Sequence, residues 1–290
     1  MSHFSLLVIG EDVASQLAPF DENEPSVRKL EYTKAELIKS LKQSNENYRK
    51  GTYALYLEDP EGYATKNSNH GAHLKYLQEG FPKRLKMTDK ELYDEAITDY
   101  TDDMIDKDGG VYTTYNQDSR WDWYEIGGRW TGALKLKKGK YGEVGSAGLM
   151  TPDASPGTCD QAMKKDIDWD RMNSGTKEQI EHHKRFWAVY VLGGKPENEK
   201  EKKFSQGFVY KPEYYKERYK TVENYVKSVV SFSTYAVLKD GEWHGKGEMG
   251  WFGCGNESHD EALDYELNFM KKFIDGLDKN EMITMVDCHI

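Results

Sequence analysis

SHFSLLVIG, residues 2–10, is a short apolar run closed by a glycine, the pattern of a buried strand. Side chains alternate along a strand, so His3, Ser5, Leu7 and Ile9 face one side and Phe4, Leu6 and Val8 the other. A second run of this kind, MITMVDCHI, occupies residues 282–290. The two flank everything else in the chain. They are expected to pair in one mostly antiparallel sheet of an α+β fold, covered by a C-terminal helix and carrying helical insertions. That helix is announced by the capping box Ser258-His259-Asp260-Glu261 and by an apolar stripe of Leu263, Leu267, Met270, Ile274 and Leu277.

Inward from the ends, LAPFDENEP (17–25) reads as a turn-rich connector. Thr33 to Glu36 is a capping box that opens a helix, with Tyr32 and Leu37 as its staple. Residues 51–64 read as a short strand with a turn. Thr88 to Glu91 is a further capping box, and Tyr93, Ile97, Tyr100 and Met104 follow at helical spacing. Residues 111–136 suggest two extended segments, residues 135–158 a hairpin and loop, and FWAVYVL (186–192) a strand. STYAVLKDGEWHGKG (233–247) reads as a hairpin turning at Asp240-Gly241. The resulting division is an α+β core of residues 1–30, 111–196 and 231–290. An acidic helical insertion fills 31–110, and a charged, Tyr-rich helical arm fills 197–230.

Composition narrows the function. In 290 residues 37% are hydrophobic and 31% charged, wetter than a typical domain, yet 13% are aromatic, which is not a disordered composition. The net charge of −10 opposes direct binding of nucleic acid phosphates and favours basic protein surfaces. Cys159, Cys254 and Cys288 form no CxxC pair, so neither a structural zinc site nor a disulfide framework is read. Cys288 could meet a symmetry mate at an oligomer interface. No signal-peptide pattern is read, and LLVIG is far too short to span a bilayer. The cytosol is expected, with no membrane partner.

WDWYEIGGRW, residues 121–130, holds three of the seven tryptophans. As a site, Asp122 or Glu125 would be the acid or base, Arg129 an anion clamp and the tryptophans a stacking floor. As packing, Trp121 and Trp123 would share a strand face, and Gly127-Gly128 would turn or bulge the chain. Arg129 would then pair with a carboxylate, and Trp121, Trp123, Arg129 and Trp130 would form a structural hub. The packing reading is preferred. The double glycine is not a GxGxxG fingerprint. His3 and His289 lie in the two end strands, and both could approach Asp287. Such a His-Asp-His cluster would bind a metal or shuttle protons, against the plainer reading of satisfied core histidines. Residues 89–108 hold nine Asp/Glu and two Lys: either a solvated face or a surface aimed at a basic groove.

Four landmarks occur together: MSHFSLLVIG, LAPFDEN, WDWYEIGGRW, and GEMGWFGCG with MVDCHI. They resemble a family of phage- and prophage-encoded proteins, and the size and character of the chain are similar to viral inhibitors of the bacterial Gabija defence complex. That resemblance implies no catalytic residue, cofactor or metal. It implies an anti-defence protein that binds the nuclease of the complex, assembles as a homo-oligomer around it and keeps DNA away. Partner contacts are then expected from Asp94, Asp99, Asp102 and Asp103 of the acidic insertion and from Tyr214, Tyr215, Arg218 and Tyr219 of the arm. The alternative is a hydrolase of a small molecule or nucleotide, with a site around Asp122, Glu125, Arg129 and His289.

Overall fold

The structure is a computed structural model and describes residues 2–67, 69–207, 209–248 and 255–290. Among them eleven strands run in chain order. They are β1 (His3–Ile9), β2 (Lys29–Tyr32), β3 (Val111–Thr113), β4 (Trp123–Gly128), β5 (Leu134–Lys135), β6 (Ser146–Ala147), β7 (Thr158–Cys159), β8 (Gln161–Met163), β9 (Ala236–Lys239), β10 (Glu242–Gly245) and β11 (Met282–His289). The fold is α+β. The chain divides into two compact units, Met1–Glu24 with Asn116–Ile290, and Pro25–Tyr115.

In the first unit a seven-stranded sheet runs β10-β9-β1-β11-β4-β6, with β8 also on β11. Its centre is the antiparallel pair of β1 and β11, in register from His3↔His289 to Ile9↔Ile283. β9 joins β1 and β6 joins β4 in parallel; the other pairings are antiparallel. Both faces of β1 are covered, as its double apolar pattern requires. Leu7, Ile9, Ile283 and Met285 pack with Tyr265, Phe269 and Ile274 of the C-terminal helix. Phe4, Leu6, Val8, Val286 and Cys288 pack with Val13, Leu17 and Trp121 on the opposite face. Leu6, Leu7 and Val8 are fully buried, and each such side chain contributes about 1.5–3 kcal/mol. The β9–β10 turn has φ of 54° at Asp240 and 76° at Gly241, the left-handed pair that a tight hairpin needs.

The second unit closes through β2 on β3, Lys29↔Thr113 being one of the pairs. Its boundaries therefore lie outside the expected 31 and 110. The expected strand at 51–64 is helical: Arg49–Tyr53 is a π-helical turn leading into Ala54–Glu58, and Asp59 caps the next helix, Pro60–Lys66. Tyr48 and Tyr53 pack on Phe81, so aromatic packing overrides the local β tendency. The acidic stretch is not one long helix either. Helix stops at Ala96, and short 3-10 turns follow at Ile97–Asp99 and Asp102–Met104.

Three further expectations are corrected in the first unit. FWAVYVL is no strand. Thr176 and Gln179 form an unexpected capping box that starts the helix Lys177–Phe186, and this runs on through a π-helical turn, Trp187–Val191. The segment 197–230 is no separate arm. Tyr215, Tyr219 and Val222 pack around Phe186, Trp187 and Tyr225. Residues 135–158 form no local hairpin, because β5 pairs with β7 and β6 with β4.

Candidate functional site

The register of the two end strands brings His3, Asp287 and His289 to one end of the sheet. His3 and His289 are Cα partners, and their rings lie 5.0 Å apart, edge to face. Asp287 lies two residues before His289 on the same strand face, diagonal to His3. Its Oδ1 meets His3 Nδ1 at 2.9 Å, and its Oδ2 accepts the Arg129 N–H at 2.9 Å. Asp122, whose N–H donates to the His289 carbonyl, places Oδ1 2.6 Å from His289 Nδ1. The cluster is thus two separate Asp–His pairs. The expectation that both histidines approach Asp287 is corrected: His289 is taken by Asp122, and no group of three or more His, Cys, Asp or Glu suited to a metal occurs among the described residues.

The double glycine explains how Asp287 is held. Gly127 and Gly128 have φ of 84° and 54°, so the chain curls back over the sheet. A Cβ on Gly128 would lie 2.4 Å from the Asp287 Cβ, and one on Gly127 would lie 2.6 Å from Asp160 Oδ2. The curl also sets a second buried carboxylate. Asp160, fully buried, accepts the N–H groups of Gly132 and Gly145 at 2.6 and 2.9 Å. Burial pushes its carboxyl up, against the pull of those two N–H donors. LAPFDEN supports the same corner: Trp121 Nε1 donates to the Leu17 carbonyl, and Asn23 Nδ2 donates to the carbonyl of Asp122.

The two imidazoles are not equivalent. With the carboxylates as acceptors each Nδ1 is the donor, and in the neutral ring Nε2 is then left with a lone pair. His289 Nε2 is sealed from solvent and has no hydrogen-bond partner among the described residues. His3 is 15% exposed at its side chain, and its Nε2 has no hydrogen bond among the described residues. Behind it Asp287 is 2% exposed. This is the arrangement of a proton-accepting imidazole oriented by a buried carboxylate.

The four hub residues separate. Trp121 precedes β4 and packs under one face of the sheet, while Trp130 packs on the cluster of the other face. Trp123 instead lies beside His3, ring centroids 6.3 Å apart, and is 46% exposed. Trp121 and Trp123 therefore do not share a face. Arg129 anchors Asp287 through its backbone, and its exposed side chain has no ion pair among the described residues. Glu125 is the register partner of Asp287.

The expected partner-contact residues fare unequally. Asp94, Asp99, Asp102 and Asp103 are all exposed, and Asp94 pairs with Lys90 at 2.6 Å. Other acids of that stretch are matched inside their own unit, Asp89 by Lys42, Asp106 by Arg28 and Glu95 by Arg84. Arg218 is buried and held by Glu266 at 2.8 Å, which corrects its placement on a contact surface. Tyr215 and Tyr219 belong to an internal aromatic cluster, and Tyr214 stacks on Tyr210 at 4.1 Å. Cys254 lies outside the described residues. Cys288 is fully buried, with its thiol pushed well up by burial and then by Asp287, so it faces no symmetry mate. Comparison with family models, curated proteins and solved structures finds no match.

Proposed function

We propose that the protein is an acid–base enzyme, a hydrolase of small molecules, with His3 as its working base. The observation that carries this reading is the part-exposed His3 imidazole held at Nδ1 by the buried Asp287 carboxylate. As a water oxygen attacks the substrate, its O–H bond breaks and the proton passes to His3 Nε2. Asp287 stabilises the imidazolium, which then returns the proton to the leaving group. Such a base contributes typically 10²–10⁴-fold. The reading keeps Asp122, Glu125, Arg129 and His289 around the site and moves the base to His3. A panel of phosphoesters, glycosides and amides, run with wild type, His3→Gln and Asp287→Asn, tests it. Turnover is expected to fall roughly 10²–10⁴-fold in both variants with melting temperature held. Turnover that survives His3→Gln would remove the assignment.

A second reading is the contact inhibitor implied by the resemblance, a homo-oligomer bound to the nuclease of the Gabija complex. The exposed carboxylates of Asp99, Asp102 and Asp103, which have no ion pair among the described residues, support it. Charge complementarity governs such encounters. Capture of the tagged protein from cells carrying the complex should then recover the nuclease in one large assembly. Reversing those three charges should release it.

A further inference from the structure

An exposed tryptophan is unusual in a chain that buries or half-buries its other described ones, and Trp123 is 46% exposed beside the His3 ring. Among the described residues it joins the core cluster of neither sheet face. Two carboxylates belong to the same stretch of chain, Asp122 and Glu125, and the backbone of Arg129 is tied through Asp287 to the His3 ring beside Trp123. Glu125 is half-buried on the same strand face as Trp123, and its carboxylate has no hydrogen bond or ion pair among the described residues. Asp122 is 38% exposed, with its Oδ1 engaged by His289. Arg129 is fixed at its backbone by Asp287, and its exposed guanidinium has no ion pair among the described residues. An indole offers a stacking face, carboxylates accept from amino or hydroxyl groups, and a free guanidinium takes a phosphate in two parallel bonds.

We propose that this corner binds a nucleoside monophosphate. The base stacks on Trp123, its amino group or the ribose hydroxyls donate to Glu125 and Asp122, and the phosphate meets Arg129. The assignment rests on the reading of His3 as a base and names the ligand class for that site. A carboxylate-lined corner would repel a bare phosphate, so the ring supplies the selectivity and the guanidinium offsets the repulsion.

Binding is measured by calorimetry on the His3→Gln variant, in which turnover does not consume the ligand, with AMP, adenosine and ribose 5-phosphate as probes. AMP should bind more tightly than either fragment. Trp123→Ala should weaken AMP roughly tenfold or more and leave ribose 5-phosphate unchanged. Arg129→Ala should bring AMP down to adenosine. No saturable binding of AMP at millimolar concentration, or binding indifferent to Trp123→Ala, overturns the proposal. The two ideas fail separately. Loss of nucleotide binding leaves the His3-dependent turnover of other esters standing, and nucleotide binding without any His3-dependent turnover leaves a binding site that is not an enzyme.

Discussion

A single carbon at position 128 sets the geometry of the candidate site. Gly128 has φ of 54°, and its missing Cβ would stand 2.4 Å from that of Asp287. Gly128→Ala is therefore expected to destabilise the fold by about 1–3 kcal/mol, through overpacking and backbone strain together. Denaturant unfolding checks this; wild-type stability would mean the strand end shifts freely. Asp287→Ala removes the acceptor of the part-buried Arg129 N–H and of His3, and is expected to cost about 1–3 kcal/mol. Part of this was legible in the sequence. Alternation put His3, Asp287 and His289 on sheet faces. The pairing of His289 with Asp122 depends on where β4 begins against β11, which no local pattern encodes.

Helix starts were the most readable elements, because a capping box is a local device. Thr33, Thr88 and Ser258 each accept from the N–H three residues on, as their sequences suggest. The box at Thr176 went unread because the run after it, FWAVYVL, is β-branched and aromatic; burial of Phe186, Trp187 and Val191 against Tyr225 decides it instead. Thr176→Ala should cost about 1 kcal/mol. The loop after that helix is pinned by Glu201, which meets Arg185 at 2.6 Å and accepts the Glu197 N–H. The Arg185 hydrogen bond, followed by the Glu197 N–H, holds the Glu201 carboxyl at about 2, below its ordinary 4.5. A depressed carboxyl contributes stability that is full above 4.5 and lost as pH falls towards 2. Glu201→Gln should thus lower the melting temperature at pH 7, with the gap to wild type closing through that acidic window. A gap independent of pH would mean the charge is not what Arg185 recognises.

At the scale of the whole molecule, the α+β class and the central pairing of the two end strands were legible, because few other segments are apolar on both sides. The interior assignments were harder. Residues 25–115 hold charge of both signs, and much of it is matched internally, so the acidic run that looked like a surface in the sequence is partly a seam. Since β2 on β3 closes this unit near both its ends, residues 25–115 expressed alone should unfold in one cooperative transition. A featureless, non-cooperative melt would show that the unit borrows its stability from elsewhere.

The two ends of the sheet's central pair are joined by reciprocal bonds, Ser2 N–H to the Ile290 carbonyl at 3.3 Å and Ile290 N–H to the Ser2 carbonyl at 3.1 Å. A short peptide linker could therefore run from residue 290 to residue 2, with new termini opened at the exposed Gly193-Gly194. Such a circular permutant should fold to the same sheet. It would also be the version to immobilise or label, because the handles would then sit away from the corner where His3 and His289 meet.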